Sequence, residues 1–278
     1  MHDIVIHVVA SAAYAGLAWH FWNTRWRVAA PAQSPAGLAP WERAALLVPV
    51  ALHGWLLVAA IFVAPELRFG FAQALSAMLW LGVLIYWVES LFLRLDGFEP
   101  LILPLAALAA PLPLAFPGLA SAAALAGNTA FKLHLVVAMF AYSLFTIAML
   151  HAVLMAFVEN RLHRVHLGDA GFLTRLPPLL TLERMLFHTI AAAFVMLTLT
   201  LATGFAFSEA LFGRALRFDH KTLFGIMSWA TFAILLAGRH FRGWRGRTAL
   251  RMTIAGFMLL LLAYIGSRFV LEVVLGRS

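Results

Sequence analysis

The 278-residue chain has no cysteine, which excludes thiol catalysis, thiolate metal sites and disulfides. Charge is scarce too. Asp, Glu, Lys and Arg make up 12% of the residues, against roughly 25% in a water-soluble globule. Hydrophobic residues make up 63% and the mean hydropathy is +0.91, so the chain reads as an integral membrane protein. Carboxylates are few: Glu89, Asp96, Glu99, Glu159, Glu183, Glu209 and Asp219 fall near the ends of apolar runs and read as caps or headgroup contacts. A proton-driven transporter usually carries a carboxylate inside a span and often shows inverted repeats, and neither is evident. No basic residue precedes the first apolar run, and the first arginine is Arg25, which argues against a cleavable signal peptide. Walker loops, dinucleotide fingerprints, nucleophile elbows and H-E-x-x-H zinc helices are missing as well.

What remains is a series of apolar runs, each near the roughly 20 residues that cross a bilayer. Cutting the chain where charges cluster gives eight spans: Ile4–Trp22, Ala44–Ala64, Phe69–Val88, Pro100–Phe116, Leu133–Val158, Met185–Ser208, Thr222–Gly238 and Met252–Ser267. The fold class is all-α, a polytopic membrane helix bundle forming a single transmembrane domain over 1–278. The fourth span is the weakest, because Pro100, Pro104, Pro111, Pro113 and Pro117 interrupt helical hydrogen bonding. The net charge of +8 sits in short connections, so it reports orientation and not nucleic-acid binding. One side carries Arg25, Arg27, Arg43, Arg94, Arg161, Arg164, Arg175, Arg184 and the five arginines from Arg239 to Arg251. The other carries Arg68, Lys132, Arg214, Arg217, Lys221, Arg268 and Arg277. This asymmetry puts both termini outside.

Eleven histidines are then the main source of chemistry. His7, His134 and His220 fall on the outer side, and His20, His188 and His240 on the inner side. His53 lies ten residues from Arg43, about 15 Å of helical rise, and His151 eight residues from Glu159. His2, His163 and His166 read as surface residues. Histidines at matched depth on separate helices offer axial nitrogens for a haem iron, which needs no cysteine. The competing reading gives each one an interhelical hydrogen bond or a place among headgroups. In the sixth span Thr198, Thr200 and Thr203 precede Gly204, a pattern that permits close helix approach. Thr181, after Pro177-Pro178, is placed to cap the helix bearing His188.

The order Lys132-Leu133-His134-Leu135-Val136-Val137 through Phe140-Ala141-Tyr142-Ser143, then Leu182-Glu183-Arg184, Leu197-Thr198 to Gly204, Phe218-Asp219-His220-Lys221, Trp229, Gly243-Trp244-Arg245-Gly246 and Gly256-Phe257, resembles the cytochrome c assembly family, the CcsA, CcmC and HemX group. It is most similar to the YpjD/HemX-like inner-membrane branch, through Pro177-Pro178, Glu183-Arg184, Phe187-His188 and Ala263-Tyr264-Ile265-Gly266-Ser267-Arg268. The likeness covers roughly 131–270. Earlier spans agree in layout, with His53-Gly54 the one suggestive point.

The resemblance implies haem handling and cytochrome complex assembly in the bacterial inner membrane, with no catalytic residue on this chain and any thioether cysteines supplied by a partner. Its site residues would be His53, His134, His188 and His240 as iron ligands, with His220 as a further outer histidine. Arg214, Arg217 and Arg268 would sit on the propionates. In its sharpest form, His53 pairs with His188 or His240 while His134 faces an outer cavity. The implied partners are lipid, haem, and another membrane protein or apocytochrome c.

The family's tryptophan-rich loop, W-G-x-x-W-x-W-D-P-K-E, stands here as Phe212-Gly213-Arg214-Ala215-Leu216-Arg217-Phe218-Asp219-His220-Lys221-Thr222, keeping Asp219 and Lys221 but none of the tryptophans. The histidine that follows the loop would fall at Ala237, with His240 nearly one turn on. The outer histidine of the last span is replaced by Ile265-Gly266-Ser267-Arg268. These departures leave a cofactor-free scaffold or regulator as the alternative.

Overall fold

The computed structural model describes residues 2–27, 37–63, 68–92, 97–118, 128–164, 178–212 and 219–276. These residues form helices α1 (His2–Phe21), α2 (Pro40–Val58), α3 (Phe71–Phe92), α4 (Glu99–Ala109), α5 (Leu112–Ala115), α6 (Thr129–Arg164), α7 (Leu179–Phe212), α8 (His220–Arg242), α9 (Gly246–Leu261) and α10 (Ser267–Phe269). π-helical turns carry α1 on to Arg27, α2 to Val63 and the last segment to Val274. Among the described residues, seven stretches are long and apolar enough to cross a membrane: Asp3–Arg27, Pro40–Val63, Phe71–Phe92, Thr129–Asn160, Leu179–Ala206, His220–Arg242 and Gly246–Val274. The fourth expected span is the shorter Glu99–Ala115. It breaks at Ala110–Pro111, where a ring nitrogen cannot donate to the preceding turn.

Side-chain bonds between neighbouring helices show how the chain alternates. His7 Nδ1 donates to the Ala110 carbonyl (2.7 Å) and Ser11 to Ala107 (2.7 Å), which makes α1 and α4 antiparallel. Trp80 Nε1 donates to Val50 (2.8 Å) and Trp87 Nε1 to Arg43 (2.9 Å), which does the same for α2 and α3. Ser143 of α6 reaches the Met78 carbonyl (2.9 Å), and Tyr142 reaches Leu260 (2.8 Å), joining the first half of the bundle to the second. Tyr14, Tyr86, Phe98, Phe145 and Phe232 are fully buried between the helices.

One end of the bundle gathers Arg25, Arg27, Arg43, Arg184, Arg239, Arg242, Arg245, Arg247 and Arg251. The other holds Arg68, Lys132, Lys221 and Arg268. The positive-inside rule makes the first end cytoplasmic. Glu99–Ala115, although short, also runs from one end to the other, because Tyr86 near the cytoplasmic end of α3 donates to Glu99 and Gln73 at the outer end donates to Phe116. His2 and Val274 therefore lie on the same, outer side.

Local details differ from expectation at two places. α7 starts at Leu179, not after Thr181: the Pro178 carbonyl accepts from the backbone N–H groups of Thr181 (2.8 Å) and Leu182 (3.1 Å), so Thr181 lies inside the first turn. Glu99 reads as a headgroup residue in sequence but is fully buried, accepting from Tyr86 Oη (2.7 Å) and the Gly97 N–H (3.0 Å).

Gly256 sets the approach of α8 to α9. Its carbonyl accepts from Ser228 Oγ (2.8 Å), and a Cβ there would stand 2.8 Å from two ring carbons of Phe232, which is itself stacked on Phe145 with 3.9 Å between centroids. Gly256→Ala is expected to cost about 1–3 kcal/mol by overpacking, read as a lower melting temperature in detergent.

Candidate functional site

His134 stands near the outer end of α6, half-buried, with Nδ1 2.8 Å from Thr203 Oγ1 on α7. The threonine favours one tautomer. Its single hydroxyl proton goes to the backbone, at 2.8 Å from the Leu199 carbonyl and 3.1 Å from that of Thr200. With that bond made, Thr203 Oγ1 is left to accept from His134 Nδ1–H. Nε2 then carries the lone pair, which is the state in which an imidazole ligates a metal, with the second nitrogen oriented by a hydrogen bond. Gly204 beside it keeps the ring's flank in ordinary contact, since a Cβ there would lie 3.5 Å from His134 Cε1.

The cations of the outer end lie at a similar depth. Lys221 and Arg268 lie over the Tyr264 ring, 5.7 and 5.8 Å from its centroid, and the tyrosine hydroxyl points to the Phe69 carbonyl at 3.4 Å. Glu272 sits against Gly70, where there is no room for a Cβ. The Nε of Arg268 is buried without a hydrogen-bond partner among the described residues. Tyr142, two turns inward of His134, donates to Leu260, one turn inward of Tyr264, so both groups belong to the outer third of the bundle. Lys132, half a turn from His134, lies over Phe62 at 6.0 Å. His220 opens α8 in an exposed position beside Asp219, which caps the helix by accepting from the Thr222 N–H (3.0 Å). Arg214 and Arg217 lie outside the described residues.

His53 has a different environment. It is fully buried in α2, with Nε2 2.7 Å from Ser76 Oγ, the Tyr14 ring edge-on at 5.8 Å, and Nδ1 without a partner among the described residues. Gly54 next to it lets Trp80 close the packing, since a Cβ there would stand 2.8 Å from the indole. Ser76, Tyr14 and Trp80 close in around the imidazole. His53 does not meet His188 or His240. It stands thirteen residues, roughly 20 Å of rise, beyond Pro40, whereas His240 is two residues from the cytoplasmic end of α8.

His188 and His240 share a level. Glu183 pairs with Arg239 Nη1 at 2.6 Å, and the same guanidinium lies 4.5 Å over the Phe187 ring. Phe187 and Arg239 thus face one another across antiparallel α7 and α8. The residue after each steps about 100° to the same side of the pair. His188 and His240 are both exposed there, His240 edge-on to Phe241 at 4.8 Å.

Two buried arrangements were not legible in the sequence. His151 is buried beside Phe98, 4.8 Å between ring centroids, and neither ring nitrogen has a hydrogen-bond partner among the described residues. Glu42 gathers His20 (2.9 Å), Arg25 (2.7 Å) and the Ala39 N–H (2.7 Å). Among the described residues no three His, Asp or Glu side chains come together to hold a bare metal ion. A haem iron, held in its porphyrin, asks only one or two axial nitrogens of the protein. The donor set at the outer end fits that demand, with an oriented imidazole and cations able to take carboxylates; the packing around His53 does not.

Residues 43–275 match the family described as cytochrome C assembly protein. The chain belongs to the cytochrome c assembly protein family. The match begins at Arg43 and so extends the likeness through most of α2 and all of α3 to α5, beyond the 131–270 covered by the motifs.

The chain is 35% identical over 141 residues to the inner membrane protein YpjD of Escherichia coli (strain K12), covering 51% of this chain and 52% of that one. It is 39% identical over 145 residues to a 28.8 kDa protein in a nifR3-like 5' region of Azospirillum brasilense, 52% of each chain. It is 34% identical over 88 residues to the cytochrome c biogenesis protein CcsA of Prochlorococcus marinus subsp. pastoris, 32% of this chain and 28% of that one. Over the first relatives, the match spans about half of their length. No solved structure matches.

Proposed function

We propose that this cytochrome c assembly family member binds haem at the outer end of its bundle, in a bacterial inner membrane, and serves cytochrome biogenesis by holding it there for a partner. The observation that carries the reading is the 2.8 Å contact of His134 Nδ1 with Thr203 Oγ1, which orients the imidazole at the outer end of the bundle. Lys221 and Arg268 at the same end supply cations for propionates, with the guanidinium as the paired-fork donor. His220 is the second outer imidazole. His188 and His240, level on α7 and α8, form the corresponding pair near the cytoplasmic end, and Arg214 and Arg217 would join the outer cations. When bound, haem supplies the iron and the vinyl groups to which an apocytochrome's cysteines attach. This chain's part is to hold, orient and neutralise.

Purification in mild detergent and an absorption spectrum test the reading: a Soret band that survives washing and shifts on reduction is expected. Thr203→Val, which removes the orienting acceptor while keeping the shape, is expected to weaken retention about 10- to 100-fold, read as the haem-to-protein ratio against haem titration. Colourless protein from haem-replete cells would leave the second reading, a cofactor-free scaffold. The exposed positions of His188, His220 and His240 favour that reading.

A further inference from the structure

We propose that a recess at the cytoplasmic end, between α6 and α9, binds the phosphate headgroup of an anionic glycerophospholipid. The recess has a volume of about 250 Å³ and is lined by Ala156, Glu159 and Asn160 of α6 and by Arg247, Leu250 and Arg251 of α9. Its floor is apolar and its rim is charged. Arg247 and Arg251 are one helical turn apart and both line the recess, the spacing that lets two cations share one phosphate. Only one of them is offset: Arg247 Nε lies 3.5 Å from Glu159 Oε1, while Arg251 has no ion pair among the described residues. Asn160 adds an amide donor. The N-cap of α9, Arg245, has no side-chain acceptor for the first amides of the helix, which adds positive potential at this end.

The depth selects the source of the phosphate. The recess opens at the level of the arginines that mark the cytoplasmic surface, where anionic headgroups of the inner leaflet lie and juxtamembrane basic residues attract them. Below it, Val153, one turn inward of Ala156, is 37% exposed, and Ile254, one turn inward of Leu250, is half-buried. These two give acyl chains an apolar track leading from the headgroup into the bilayer. A soluble phosphate would make no use of that track.

The test uses the full chain in nanodiscs of phosphatidylcholine with increasing phosphatidylglycerol, following the melting temperature. Phosphatidylglycerol is expected to raise it, and Arg247→Gln with Arg251→Gln is expected to raise the half-maximal lipid fraction on the order of 30-fold. Arg251→Gln alone breaks no ion pair and is expected to shift it roughly fivefold, so the outcome stays readable if the double variant fails to fold. Glu159→Gln is expected to shift it the other way by removing the competing anion. Arg242→Gln, equal in charge but outside the recess, should titrate like the parent. Variants at Arg247 and Arg251 that titrate like the parent would overturn the proposal. So would inorganic phosphate in phosphatidylcholine discs reproducing the whole shift, which would assign the recess to a soluble anion instead.

Discussion

His134→Ala is expected to remove the outer haem and with it most of the Soret absorbance per mole of protein. An imidazole is the strongest neutral nitrogen ligand the chain has at that end, and the replacement leaves nothing within reach on α6. Thr203 keeps its backbone bonds to Leu199 and Thr200, so α7 itself is not disturbed. His188→Ala and His240→Ala, at the opposite end, are expected to leave the outer band in place. Parallel titration with haem separates loss of ligand from loss of fold. A His134→Ala protein that melts like the parent and keeps its full haem-to-protein ratio would remove His134 from the site. The same measurement on His53→Ala reads a different property: His53 meets Ser76 and Tyr14 in a closed interior, so a loss there should track the melting temperature.

The largest stability effect is expected at Glu42. Glu42→Ala removes the acceptor of Arg25, His20 and the Ala39 N–H together. The side chains of Arg25 and Glu42 are 13% and 5% exposed, so the substitution would take the Glu42 carboxylate away from a largely buried cation. Breaking a buried pair from one side costs about 3–5 kcal/mol. The bond also ties the π-helical turn after α1 to the start of α2, and losing it loosens that corner of the cytoplasmic end. A clear drop in melting temperature is expected for Glu42→Ala and a smaller one for Glu42→Gln, which still accepts with one oxygen. Replacing Arg25 and Glu42 together by methionine should recover much of the loss, because no unpaired charge remains. Equal losses in Glu42→Ala and in that double variant would refute the ion-pair account.

Much of this architecture can be read from the chain before folding. Apolar runs of near bilayer length, separated by arginine clusters, place the spans and the cytoplasmic face, and the proline series marks the one stretch that does not form a full-length span. Depth is legible for the same reason, because each residue adds a fixed rise along its helix. His134 is correctly placed near the outside from Lys132 alone. What cannot be read in this way is the direction each ring faces. His134 meets a threonine 69 positions away, and Tyr142 meets a carbonyl 118 positions away. Glu99 looks like a headgroup residue because it stands at a span end, yet Tyr86 draws it fully inside.

Composition and hydropathy therefore decided that this chain is a multi-pass helical membrane protein and which end faces the cytoplasm, since each of those follows from residue type summed along one helix. Only the packing of helices decided that His53 lies against Ser76, that His134 Nδ1 meets Thr203, and that His188 and His240 turn to one exposed side. Those facts depend on helix rotation about its own axis, and that rotation is set by neighbours far away in the chain.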